Sequence, residues 1–338
     1  MQNHTSENRR SLSRWIAATA LATFFLPTCW ESTSAQVTPG SDLRLTKNGL
    51  DEASRKAAMF ADPQKLRLTA RDQFELSATY YPGVLGKRTP PVIVVHDVGG
   101  SETDVEEFAG YLQRTFGYAV ITPDLRGHGG SKKSGGIEID GERLSAAEFA
   151  ALTLDIEACK KYLIDRNDAG DLNIDMLSAV AVGKSCIPAV NWALADWNFP
   201  VLSGRRQGQD IKAIALVSPV QTFKGSRMTA ALKAPLFSGK DFDKFLQVLV
   251  AAGSNDGEML KEAETIIHIV ERDRPQGKSA DGKEEGPDGV FPITDYRQNG
   301  ADLLRSDAGD LPLMIGQLIY FEVYSKGDQF PWMERGKK

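Results

Sequence analysis

The stretch Leu177-Ser178-Ala179-Val180-Ala181-Val182-Gly183-Lys184-Ser185-Cys186-Ile187 decides the fold. Its first six residues are small or apolar without a break, as a strand buried on both faces requires. Gly183-Lys184-Ser185 interrupts the run, and a helical pattern follows over residues 187–196. Strand, sharp turn carrying a serine, then helix is the geometry that lifts a hydroxyl above the end of a sheet. Helix and strand pass close together there, so the turn needs small neighbours. Gly183 and Ser185 match the G-x-S-x-G signature of such a turn, while Ile187 stands at its second glycine. Gly183-Lys184-Ser185 also ends a phosphate-loop pattern. Ser178 stands where that pattern needs its first glycine, and residues 179–182 form a strand rather than a flexible anion-wrapping loop. A nucleotide site is therefore not expected.

Strands and helices alternate outward from this point. Residues 66–69 and 74–81 read as strands around the turn Ala70-Arg71-Asp72. Residues 91–95, 119–122, 211–217 and 245–251 read as further strands, and 290–293 as a last one. Pro292 in that last strand suits a sheet edge, because proline cannot donate to a neighbouring ladder. Helical spacing recurs at Val105, Phe108, Ala109, Leu112 and Phe116, and at Leu152, Ile156, Cys159 and Leu163. It recurs over 260–272 and 311–324. The charged, Gly- and Pro-containing segment 273–288 reads as a solvated loop. The interval from Pro219 to Phe245 leaves room for a short covering segment over 223–242, not for a separate lid domain. This alternation predicts an α/β fold with a doubly wound, mostly parallel sheet, whose functional loops lie at the carboxyl ends of the strands.

With His96-Asp97-Val98-Gly99-Gly100-Ser101 after the third strand, Asp124-Leu125-Arg126-Gly127-His128-Gly129 after the fourth, the turn at Ser185, and Gly253-Ser254-Asn255-Asp256 after a late strand, the chain resembles the α/β-hydrolase fold family of serine esterases, lipases and peptidases. The resemblance covers roughly residues 65–325. It implies Ser185 as nucleophile and Asp256 as the acid that orients the base. It implies the backbone N–H groups of Cys186 and Val98 as oxyanion-hole donors. Relatives often carry His-Gly-x-Gly-Gly in the turn after the third strand. Asp97 replaces the first glycine here, and a carboxylate beside a developing oxyanion is unfavourable unless it points away.

The base of such a triad follows the last strand, often as His-Gly. The matching stretch, Arg297-Gln298-Asn299-Gly300-Ala301-Asp302-Leu303-Leu304, places Asn299 there. A carboxamide takes up no proton near neutral pH, so it cannot act as a general base. The chain has 4 histidines and none after His268. His96 and His128 occupy turns where an imidazole ties loops together, although both lie toward the carboxyl edge and stand as substitute bases. His268 reads as a helix residue, and Lys184 as a neighbour of Ser185 that points elsewhere. Ser185 and Asp256 also have plain structural readings, a small residue that fits a turn and a helix cap.

Among 338 residues, 41% are hydrophobic and 25% charged, with a formal net charge of −5. These values exclude a disordered chain and a disulfide-stapled mini-protein, and the lack of a basic excess argues against nucleic-acid binding. Arg9, Arg10 and Arg14, the apolar segment 15–30 and the small residues Thr33-Ser34-Ala35 predict a signal peptide over 1–35. A lead-in over 36–62 and one hydrolase-like domain over 63–330 follow. Export, periplasmic or secreted, is the expectation, with no transmembrane span after signal removal. Cys159 and Cys186 would then be free to oxidise or to remain buried thiols. No cofactor and no metal is expected, since no histidine or cysteine spacing suits a metal site. A small-molecule or peptide ligand is compatible with the sequence, which is silent on oligomeric state. Two functional readings stand. One is a serine hydrolase of a small ester or amide, using Ser185 and an unrecognised base. The other is a non-catalytic or weakly active member, and Asn299, Ile187 and Asp97 favour it.

Overall fold

The computed structural model describes residues 60–200, 207–239, 245–278 and 284–336. The signal peptide and nearly all of the lead-in expected from the sequence lie outside the described residues. Fourteen strands run in chain order among the described residues. They are β1 (Gln64–Thr69), β2 (Glu75–Tyr81), β3 (Pro91–Val95), β4 (Ala119–Pro123), β5 (Lys133–Ser134), β6 (Ile137–Glu138), β7 (Leu177–Val182) and β8 (Ile211–Val217), followed by β9 (Thr222–Phe223), β10 (Ser226–Arg227), β11 (Gln247–Gly253), β12 (Gln276–Lys278), β13 (Glu284–Pro287) and β14 (Val290–Tyr296). Seven α-helices among the described residues lie between and after them. They are α1 (Glu106–Phe116), α2 (Ala146–Asp168), α3 (Cys186–Trp197), α4 (Thr229–Leu232), α5 (Pro235–Ser238), α6 (Gly257–Glu271) and α7 (Leu311–Ile319).

Eight strands form one sheet in the order β1-β2-β4-β3-β7-β8-β11-β14. β1 and β2 pair antiparallel, and β2 pairs antiparallel with β4. Every pair from β4 to β14 is parallel. β14 is one of the two edge strands of this sheet, which accommodates Pro292. The strand assigned to 290–293 extends to Tyr296, and the segment assigned to a loop over 273–288 contributes the β12–β13 hairpin. Among the described residues β12 and β13 pair only with each other, so they leave no apolar run in the sequence.

β3, β4 and β7 are buried along their whole length. Their side chains alternate between two cores. Ile93, Val95, Ile121, Ala179 and Ala181 face the layer built by α2, α3 and α6. Val92, Val94, Val120, Val180 and Val182 face the layer built by α1 and α7. This two-sided burial is why the parallel strands are continuous apolar runs rather than alternating ones. The short covering segment consists of the β9–β10 hairpin, α4 and α5. Among the described residues no helix is long and apolar enough to cross a membrane. Cys159 on α2 and Cys186 on α3 are both buried and unpaired as thiols, and burial raises the pKa of each well above its usual range.

β3 is the first parallel strand, and the chain passes from β3 to β4 on one side and then returns to β7 on the other. A strand order that reverses in this way opens a crevice at the carboxyl ends of the two strands flanking the reversal. The loop after β3 and the turn after β7 therefore meet, although they lie far apart in sequence.

Candidate functional site

The turn after β7 begins at Gly183, whose φ of +59° is the positive value that L side chains rarely adopt. A single 3-10 turn over Gly183–Ser185 leads into α3. The strained, strand-terminating position of the turn is thus Gly183. Ser185 lies two residues further on, in ordinary right-handed helical conformation at φ −68° and ψ −12°. Its side chain is wholly buried, and its Oγ has no hydrogen-bond partner among the described residues. The sequence places Ser185 at the exposed apex, whereas the structure puts it beneath. The reason is the alternation Ala181-Val182-Gly183-Lys184-Ser185, in which three small residues at spacing two satisfy the same pattern in either register.

The donors differ from expectation in the same way. The N–H of Cys186 is turned back onto the carbonyl oxygens of Gly183 and Lys184, so it does not face the sheet edge. The N–H that does face it belongs to Lys184, the residue just after Gly183. Lys184 N–H donates to Asp97 Oδ1 at 2.7 Å, and Val98 N–H donates to the same oxygen at 2.7 Å. Two backbone donors from loops 87 residues apart in the Asp97–Lys184 contact therefore converge on one carboxylate oxygen. The carboxylate lies directly over Gly183. A Cβ built there would be 2.2 Å from Asp97 Cγ and 2.3–2.4 Å from its oxygens. Burial raises the pKa of Asp97 above its ordinary value, opposed by the Lys184 N–H, the Lys184 charge and the Val98 N–H.

The two histidines at the sheet edge are tied at both ring nitrogens. His96 Nδ1 bonds the carbonyl of Asp97 at 2.7 Å, and its Nε2 accepts from Leu125 N–H at 3.0 Å. His128 Nδ1 bonds the carbonyl of Arg126 at 3.0 Å, and its Nε2 accepts from Gly99 N–H at 2.9 Å. A carbonyl only accepts and an amide N–H only donates, so each ring is the neutral tautomer protonated on Nδ1. Neither ring offers a lone pair to a hydroxyl. Burial holds both below the usual histidine range, His96 down to about 4. The rings meet edge to face with centroids 5.2 Å apart. They lock the β3 loop against the β4 loop. Asp124 adds to the lock, accepting from Glu102 N–H at 2.9 Å and Gly130 N–H at 2.8 Å. Arg126 anchors the β4 loop to α2 through Asp155 and to the β1–β2 turn through Asp72. The Asp-x-Arg-Gly-His-Gly loop is thus a fastening.

Asn299, at the position expected for the base, accepts from Gly253 N–H at 2.7 Å and from Ser218 Oγ at 3.4 Å through its Oδ1. Ser218 Oγ in turn accepts from Gly300 N–H at 2.7 Å. The side chain pins the end of β14 to the ends of β11 and β8. Asp256 is exposed and caps α6, accepting from the N–H groups of Glu258 and Met259 at 3.0 Å each. None of the hydrogen bonds of Asp256, Asn299 and Ser185 links one of the three to another. His268 is exposed on α6. The Lys184 ammonium lies over the Phe223 ring of the covering hairpin, 5.2 Å from its centroid.

Asp97 was marked in the sequence as a misplaced carboxylate, yet its partners were not legible there. They depend on β3 and β7 becoming neighbours. The position of Gly183 had one signal, the small residues two before and two after it.

No family model matches the chain, and no curated protein matches it. Solved structures do. The chain is similar to an esterase of Pyrococcus furiosus, with a TM-score of 0.55 at 12% identity over 87% of this chain and 100% of that one. It is similar to a hyperthermophilic esterase of the archaeon Pyrobaculum calidifontis, with a TM-score of 0.52 at 13% identity over 80% and 90%. A structure from two fungal esterases of Rhizomucor miehei gives 0.52 at 11% identity over 93% and 97%. At these identities the likeness establishes the fold and transfers no activity.

Proposed function

We propose that this chain, which has the α/β-hydrolase fold, is an exported non-catalytic member that binds at the sheet edge rather than cleaving there. The observation that carries this reading is Asp97 Oδ1 held between Val98 N–H and Lys184 N–H. Those two donors stand where the fold builds an oxyanion hole, one after the third strand and one just past the strained turn residue. A negative charge already sitting there repels the oxyanion that acyl transfer must form. The residue at the strained position is Gly183, which has no nucleophile. The residue at the base position is Asn299, which takes no proton. Each loss removes most of the rate a triad supplies, and residues that act as a unit are not rescued singly.

Fluorophosphonate labelling tests the reading. The wild type, Ser185→Ala and Asn299→His should all stay unlabelled. The triple variant Asp97→Gly, Gly183→Ser, Asn299→His should gain label, because it opens the hole and supplies nucleophile and base together. Labelling of the wild type that disappears in Ser185→Ala would overturn the proposal and restore the serine-hydrolase reading.

A further inference from the structure

Resting on that reading, we propose that Val98 N–H, Lys184 N–H and the Lys184 ammonium form a binding site for a small carboxylate ligand, which Asp97 keeps filled and vacates only as a neutral side chain. Two backbone donors from separate loops aim at one oxygen, as in the backbone concavities that bind anions. The occupant is itself a carboxylate, so the chemical class that fits is displayed in the structure. The 12-residue helix α3 begins directly behind the turn and adds its positive end. Gly183 leaves the volume in front of the donors bare, since even a Cβ there would overlap the carboxylate. Asp97 and Lys184 are both half-buried, so the pair is reached from solvent.

A carboxylate tethered by one methylene to the neighbouring residue outcompetes a dissolved one by its effective concentration. Entry of an external carboxylate therefore requires that Asp97 lose its negative charge. The overall step is the ligand carboxylate plus one proton binding to the protein, with the proton residing on Asp97 and no covalent bond made or broken. The groups that face Asp97 are Lys184 from the β7 turn, His128 from the β4 loop, Cys186 from α3 and its own neighbour His96. Burial pushes both imidazoles and the thiol toward their neutral forms. Burial also pushes Asp97 toward the protonated form, which brings its titration closer to neutrality than that of a surface aspartate.

The test uses the full chain, labelled with ¹⁵N, and benzoate as the probe in carboxylate-free buffer. Saturable shifts of the Val98 and Lys184 amides report binding. In the wild type the affinity should rise about tenfold for each unit of pH lowered between about pH 8 and 6, since one proton is taken up per ligand. In Asp97→Asn the affinity should be independent of pH and at least equal to that of the wild type at the acid end. Asp97→Gly repeats the measurement with the side chain gone, should the asparagine variant fold poorly. A flat pH profile in the wild type, or no saturable shift at either amide in both variants, would sink the proposal. These outcomes are separate from labelling. Wild-type labelling overturns the non-catalytic reading whatever benzoate does, and a benzoate failure without labelling overturns only the ligand site.

Discussion

A Cβ at position 183 would lie 2.2 Å from Asp97 Cγ on a backbone with φ +59°, so Gly183→Ser carries two costs. The left-handed conformation and the overlap together should destabilise the protein by about 2–3 kcal/mol. Adding Asp97→Gly removes the overlap and should recover more than half of the loss, a non-additivity readable as urea midpoints in a double-mutant cycle. Equal and additive losses would mean that Asp97 does not occupy the space over Gly183. Ser185→Ala should behave in the opposite way. Its buried Oγ has no hydrogen-bond partner among the described residues, so removing it should leave stability within about 1 kcal/mol of the wild type, on the stabilising side. A loss of several kcal/mol would place that hydroxyl in a network the structure does not contain. These two residues show where sequence reading reached its limit. The strand, the turn and the helix from 177 to 197 were legible because burial on both faces leaves an apolar run and the turn needs small residues. Which of three small residues took the strained position was not legible, because Ala181, Gly183 and Ser185 share one spacing.

The loops after β3 and β4 are held by imidazoles rather than by packing alone, and this gives the sheet edge a pH dependence. His96 is fully buried, neutral and bonded at both nitrogens. Its pKa is about 4 in the fold, against 6.5 for the free side chain, and the leading cause is burial. When the folded value lies below the unfolded one, the unfolded chain takes up the proton first. The contribution is then complete above pH 6.5 and is lost as pH falls toward 4. The total is on the order of 3 kcal/mol, with about 2 kcal/mol lost by pH 5. His128 shifts in the same direction. Urea unfolding of wild type and His96→Gln at pH 7 and pH 5 should show the stability gap closing by about that amount. A gap that stays constant would mean that the ring is charged within the fold. Asn299 makes a parallel case on β14. Asn299→Ala leaves Gly253 N–H without its acceptor and should cost about 1–3 kcal/mol. The sequence marked Asn299 as a departure from a triad and read His96 as an imidazole that ties loops together, yet the partners each one fastens follow from sheet order and are not local properties of the chain.

At the scale of the whole molecule, the amino end of the sheet is closed by charge, opposite the candidate site. Lys160 of α2 is fully buried between Asp196 of α3 and Asp210 just before β8, the latter at 2.8 Å. Burial alone would lower the Lys160 pKa, but Asp210, Asp196 and Glu157 outweigh it and hold the ammonium above its usual range. Asp210 is shared with Arg335, which reaches in from the end of the chain and also pairs with Asp175 at 3.6 Å. The tail is fastened along its way. Asn173 donates to the carbonyl of Phe330 at 2.8 Å, Asn167 to that of Met333 at 2.9 Å, and Trp332 Nε1 to that of Leu172 at 3.1 Å. The Lys87 ammonium sits 3.7 Å above the Trp332 ring. None of this was legible in the sequence, whose last predicted element is the helix over 311–324. The network makes a graded prediction. Lys160→Met takes the ammonium from buried Asp196 and leaves Asp210 with Arg335 alone, and should cost about 3–5 kcal/mol, since breaking a buried pair leaves a charge without compensation. Arg335→Met leaves Asp210 with Lys160 and should cost less, about 1–3 kcal/mol. Asp210→Asn removes the excess charge in the Lys160→Met background and should return part of the loss there, while adding to the loss in an otherwise intact protein. The order of urea midpoints across these four variants checks the prediction. If Arg335→Met proved as costly as Lys160→Met, the tail would be the principal clamp, and the lysine a bystander to a contact made mainly by the end of the chain.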